Sequence, residues 1–286
     1  MVDISAAQVK ELREKTGLGL MDCKKALQGS GGDIELAIEE LRKSSGLKAS
    51  KKSGRSAADG VIGSFSSQGR SCMVEINCET DFVARDNLFN AFVQEVILEV
   101  SNNEESLDDL LGQGIEEKRE KLVQKLGENI VVRRISRSIK DADCSGLYIH
   151  STKKIGVIVS LEGGNEETAR NIAMHAAATD PLSISPEDIP EDIISKEKEI
   201  YKAQAEGSGK PAEIVEKMLE GKIRKYLAEV SLTEQDFVKD PNKKISDILA
   251  DNNAKIIGFT RFEVGEGIEV EKVDFASEVM SQIEGS

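Results

Sequence analysis

The chain has 286 residues and a formal net charge of −14. That length accommodates more than one domain, and that charge argues against nucleic acid or an anionic membrane as the main partner, since phosphate-rich surfaces select basic proteins. Charged residues make up 31% and aromatics only 4%, with no tryptophan, so the cores are expected to be mainly aliphatic.

The N-terminus lacks the charged and apolar regions of a signal peptide and the arginine-rich character of a transit peptide. No run reaches the length of a membrane-spanning helix. The expectation is a cytoplasmic protein. Four cysteines (Cys23, Cys72, Cys78, Cys144) form no Cys-x-x-Cys pair, so reduced structural thiols are expected.

Residues 3–45 read as three short helices. The first begins at Ser5 and turns Val9 and Leu12 inward; Gly17-Leu18-Gly19 breaks it. The second carries Met21, Cys23, Ala26 and Leu27. After the Gly29–Gly32 turn, Asp33 caps a third with Ile34, Ala37, Ile38 and Leu41 on one face. Helices this short need mutual packing, and their order is similar to a ubiquitin-associated-type three-helix module, assigned to residues 1–45. Residues 42–58 then carry Arg42, Lys43, Lys48, Lys51, Lys52 and Arg55 among Ser, Gly and Ala. They read as a mobile basic linker over 46–58. The alternative is contact with nucleic acid or an acidic partner, for which interleaved aromatics are missing.

A degenerate repeat of elements follows. In the first half, 60–65 and 72–78 alternate as hairpin strands around Ser67-Gln68-Gly69-Arg70. A helix carries Phe89, Phe92, Val93, Val96, Ile97 and Val100 on one face, and a second, near 115–126, leads into the strand 130–135. In the second half, 147–150 pairs with 155–160. A helix carries Ala169, Ile172, Ala173 and His175; a short helix near 245–249 leads into the strand 256–262. Two α+β units with antiparallel sheets are therefore expected, at 59–140 and at 141–185 with 229–265.

Thr80-Asp81-Phe82-Val83-Ala84-Arg85 sits where the first hairpin hands over to a helix. Thr80 or Asp81 can cap that helix, with Phe82 in phase with Phe89 and so in the core. Alternatively Asp81 and Phe82 point outward as a probe for another protein. Pattern alone does not choose.

Residues 186–228 read as an inserted hairpin of two amphipathic helices, one carrying Ile193, Ile194, Ile200 and Tyr201, the other Ile214, Val215, Met218, Leu219, Ile223, Tyr226 and Leu227. They meet at a break over 206–211, where Pro211 suits a first helical turn. The arms either project as an antiparallel coiled coil or pack as an ordinary pair. Residues 266–286 form a C-terminal module, with a helix over 274–283 whose Phe275, Val279 and Ile283 cover the core or a partner.

The chemistry expected is that of a binding protein. His150 and His175 have no triad or metal-cluster spacing, and His175 sits among Ile172, Ala173, Met174 and Ala176 as a packed helix histidine would. Gly207-Ser208-Gly209-Lys210-Pro211 imitates a phosphate loop but lacks its first glycine and its Mg²⁺-holding hydroxyl. Gly17-Leu18-Gly19 lies between helices, so it is no dinucleotide fingerprint. No catalytic residue, cofactor or metal is expected.

Several runs together carry a resemblance: 9–17, 20–27, Asn77-Cys78-Glu79-Thr80-Asp81-Phe82-Val83-Ala84-Arg85, Gly127-Glu128-Asn129-Ile130, 172–175, 208–211 and 261–267. Through them the chain resembles the bacterial translation elongation factor Ts family from end to end. The resemblance implies a guanine-nucleotide exchange factor for elongation factor Tu, without catalysis of its own. It implies that Thr80, Asp81, Phe82 and Val83 form a loop entering the GTPase domain near its Mg²⁺ and phosphate site. It assigns docking of the N-terminal module to Arg13, Leu20 and Met21, and a contact in the second unit to His150. The hairpin and the C-terminal helix match further family elements. A ubiquitin-associated-type adaptor, suggested by residues 3–45 alone, is the alternative.

Overall fold

A computed structural model describes residues 4–206 and 212–269. The expected tail helix over 274–283 and the break at 207–211, with Pro211, lie outside the described residues.

The first three helices are α1 (Ala6–Thr16), α2 (Leu20–Gly29) and α3 (Ile34–Lys52). Ser5 and Gln8 form a capping box on α1, and the Asp33 carboxylate accepts from the N–H groups of Glu35 and Leu36 on α3, satisfying N–H groups that have no partner within the helix. Val9, Leu12, Leu18, Cys23, Ala26, Leu27, Ala37 and Leu41 make one buried cluster. Met21, at the start of α2, stays outside this cluster and is 61% exposed.

The basic stretch departs from expectation: α3 continues through it to Lys52. The reason lies outside the stretch. Leu41, Ser45 and Ala49 fall on one helical face and are buried, and that face packs on α7 (Glu116–Leu126). The Ser45 hydroxyl donates to Gln124 Oε1. Arg42 pairs with Glu117 at 2.9 Å, Lys48 with Asp22 at 3.0 Å, and Lys52 reaches the Gly127 carbonyl. These cations have intramolecular partners rather than forming an open basic strip.

Strands β1 (Asp59–Ser67) and β2 (Arg70–Cys78) meet at Gln68-Gly69, both with positive φ, as a tight hairpin requires. Next come α4 (Asp81–Ala84), α5 (Asn87–Asn102), α6 (Leu107–Leu110), a π-helical turn at Leu111–Ile115, then α7 and β3 (Ile130–Arg137). The sheet order is β1-β2-β3. All six residues of the expected α5 face are buried, each contributing about 2 kcal/mol of transfer free energy before entropy is subtracted.

The second half repeats the scheme. Strands β4 (Cys144–Ile149) and β5 (Ile155–Gly163) pair antiparallel from Cys144↔Leu161 to Ile149↔Gly156. Then come α8 (Glu166–Thr179), α9 (Glu191–Glu206), α10 (Ala212–Val230), the small hairpin β6 (Asp236–Phe237) and β7 (Asp240–Lys244), α11 (Ile245–Asp251) and β8 (Ala254–Glu263). The sheet order is β4-β5-β8, so the chain is α+β, with small antiparallel sheets covered by helices. Helix α8 lies so close on β4 that a Cβ at Gly146 would overlap the Ala169 and Arg170 backbone. Helices α9 and α10 pack on each other, and the segment ahead of α9 is tied to the end of α10 and the residues after it. Leu182 N–H donates to the Val230 carbonyl, and Leu232 N–H to that of Ser183.

The described residues fall into two compact units, one of residues 4–63, 74–135 and 263–269, the other of 64–73, 136–206 and 212–262.

Candidate functional site: a braced aromatic turn

In the first unit, β2 ends at Cys78 and α5 begins at Asn87, and between them lies the single turn α4. Two caps operate where one was expected. The Thr80 hydroxyl accepts the Val83 N–H of α4, and the Asp86 carboxylate accepts the Leu88 N–H of α5. The break between the two helices destroys the phase relation of Phe82 to Phe89. Phe89 is fully buried, whereas Phe82 is 81% exposed. Its neighbours Val83 and Ala84 are buried, so the ring is held in solvent by residues anchored behind it. Asp81 pairs with Arg85 across the turn at 2.9 Å.

The turn is fastened to a second loop that sequence reading did not connect with it. Glu128, between α7 and β3, accepts from the N–H groups of Glu79 (3.1 Å) and Thr80 (3.0 Å) and from the Thr80 hydroxyl (2.6 Å). In return, Glu79 accepts the Asn129 N–H at 2.6 Å and pairs with Arg55 at 3.5 Å. Asn129 donates onward to the carbonyls of Ser53 and Arg55. The runs Glu79-Thr80 and Glu128-Asn129 were each conspicuous in the sequence. Only the β2–β3 pairing brings them side by side.

Within the same unit lies a buried carboxylate that no motif had suggested. Glu75 on β2 is fully buried and accepts from Arg133 (3.0 Å), Arg134 (2.5 Å), Asn77 (3.0 Å) and the Gly265 N–H (2.9 Å). Burial pushes its pKa up. The Gly265 N–H, then Arg134, Asn77 and Arg133, outweigh that and hold it below the ordinary carboxylate value. Gly265 has φ +80°, and a Cβ there would overlap the Ala58 carbonyl, so the turn after β8 tolerates no other residue. A signal was available in the glycine-rich run 265–267, but its buried acidic partner lies far away in sequence.

Arg13 is exposed, as are Leu20 (54%) and Met21 (61%) at the start of α2. His150 is exposed at the turn between β4 and β5, its Nδ1 2.8 Å from the Thr152 hydroxyl. His175 behaves as the packed histidine expected. It is fully buried, its Nδ1 accepts the Val238 N–H at 3.3 Å, and its Nε2 lies 2.9 Å from Gln235 Oε1. Those contacts select the neutral tautomer protonated at Nε2. Burial lowers its pKa, the Gln235 bond opposing. All four cysteines are free and buried. Among the described residues, no helix is long and apolar enough to cross a membrane.

The fold is α+β, and among the described residues its most exposed large hydrophobic is Phe82, an aromatic displayed on a braced turn, as aromatics that meet another protein are. The model of a family described as Elongation factor TS matches residues 79–266. The Elongation factor Ts of Hahella chejuensis (strain KCTC 2396) is 54% identical over 289 residues, covering 100% of both chains. That of Francisella tularensis subsp. novicida (strain U112) is 51% identical over 292 residues, again covering 100% of both. The chain belongs to the elongation factor Ts family, and with it to the translation elongation factors.

Proposed function

We propose that the chain is a guanine-nucleotide exchange factor for elongation factor Tu, acting in the cytoplasm, with the Asp81-Phe82 turn as the element that loosens the nucleotide. The observation that carries this reading is the exposure of Phe82 between anchored neighbours. A rigid apolar ring makes an effective wedge. Mg²⁺ beside a nucleotide demands near-octahedral geometry. Small displacements of the helices that hold its ligands therefore weaken the ion and, with it, the nucleotide. Asp81, in its ion pair with Arg85, stiffens the turn and places negative charge where it opposes the acids around a metal.

Arg13, Leu20 and Met21 form a docking patch on an N-terminal module of ubiquitin-associated type, and His150 makes a further contact from the second α+β unit. Exposure of all four supports these roles. The α9–α10 pair and the C-terminal residues supply additional contact. The chain provides coupling rather than catalysis: whatever factor it takes from nucleotide affinity, nucleotide takes from its own. The adaptor alternative rests on residues 3–45 and leaves the family match over 79–266 without a role.

The test is release of a fluorescent GDP analogue from purified elongation factor Tu. Acceleration by the wild-type chain supports exchange, and no acceleration at saturating concentration would end the proposal.

A further inference from the structure

We propose that Glu128 is a positioning residue for the Phe82 turn: acting through Thr80, it holds the ring displayed before any partner arrives, and so governs the rate of nucleotide release rather than the affinity of docking. The inference rests on the reading that Phe82 is the exchange element.

An ionised carboxylate only accepts hydrogen bonds. Glu128 takes two backbone N–H groups on Oε2 and the Thr80 hydroxyl on Oε1, at 3.1, 3.0 and 2.6 Å. The hydroxyl has one proton, and Glu128 receives it. The lone pairs of Thr80 Oγ1 are thereby left to accept the Val83 N–H, at 3.5 Å, which caps α4. Turning the hydroxyl away would leave a lone pair for the cap but would break the link that fixes Oγ1, and the cap with it, to Glu128. Helix α4 is a single turn, and a turn that short does not persist by its own hydrogen bonds. It depends on its cap and on the burial of Val83 and Ala84. The brace continues past the turn: Glu79 holds the Asn129 N–H, and Asn129 holds the backbone at Ser53 and Arg55. Such support fixes a side chain that itself lies largely in solvent, and lowers the ordering cost of insertion. Docking through other surfaces is untouched, so the effect falls on the maximal rate.

Glu128→Gln is the discriminating change. Its amide can still accept the two N–H groups, but the –NH₂ then faces Thr80 Oγ1 as a donor and turns the hydroxyl proton away. We expect the saturating rate of GDP-analogue release to fall about tenfold, the half-saturating concentration to stay within about twofold, and the melting temperature to hold. Thr80→Val, which removes the same link without touching the carboxylate, should act in the same direction and stands in if Glu128→Gln does not fold. Phe82→Ala is measured alongside, and Phe82→Ala/Glu128→Gln should release no more slowly than Phe82→Ala alone, because Glu128 acts through the ring. The proposal is overturned by a folded Glu128→Gln at the wild-type rate while Phe82→Ala is slow, by additive losses in the double variant, or by a loss confined to half-saturation. If Phe82→Ala itself releases at the wild-type rate, the reading beneath the proposal falls, and the proposal with it.

Discussion

Phe82 is 81% exposed and Phe89, on the helix that begins after the break, is fully buried. A side chain so exposed contributes little to folding, so Phe82→Ala should melt within about 0.5 kcal/mol of wild type while losing most stimulation of GDP-analogue release. A melt combined with a release assay reads both. Glu75 is the opposite case. Glu75→Gln removes the charge between Arg133 and Arg134, which stay part-exposed, with Arg134 still paired to Glu266, so the loss is that of charged hydrogen bonds, about 2–3 kcal/mol, read as a lower denaturant midpoint. His175 titrates with a definite sign. Its folded pKa lies below the ordinary 6.5, so the unfolded chain binds the extra proton more readily. Its contribution is complete above pH 6.5 and is lost as pH falls from there towards the folded value. Melting temperature should drop over that interval, and the drop should shrink in His175→Gln.

At the scale of elements, the turn after β8 is the sharpest test. Gly265 combines φ +80°, a tight approach to the Ala58 carbonyl and an N–H given to Glu75. Gly265→Ala should cost about 2 kcal/mol or more, with faster proteolysis after Glu263 as the local readout. Most elements were legible because their signals are short-range. The α5 stripe, the capping Asp33, the tight turn at Gln68-Gly69 and the hairpin β4–β5 all follow from neighbours a few positions apart. The basic stretch was misread for the converse reason. Its composition is that of a solvated linker, and it is helical because Leu41, Ser45 and Ala49 find α7 some 70 residues downstream. The β6–β7 hairpin, with strands of two and five residues, is too short to stand out as a pattern.

Across the whole molecule, four free cysteines are buried, and burial pushes the Cys72 thiol up to about 11. The native chain should therefore resist an aromatic disulfide reagent at pH 8 and release four equivalents only on unfolding, as followed by absorbance. A fast-reacting thiol in the native state would place a cysteine at the surface. By itself, the sequence determined the α+β class, the doubled order of hairpin, helices and late strand, and the family, because periodicity, turn residues and motif runs are written locally along the chain. Resemblance, not pattern, already implied an outward Phe82, which is exposed; only the tertiary structure decided that Glu128 and Glu79 brace its turn and that Glu75 lies buried beneath Gly265. Each of these depends on groups separated by some 50 to 190 positions in the chain, whose meeting is set by strand pairing and packing rather than by any pattern in either stretch.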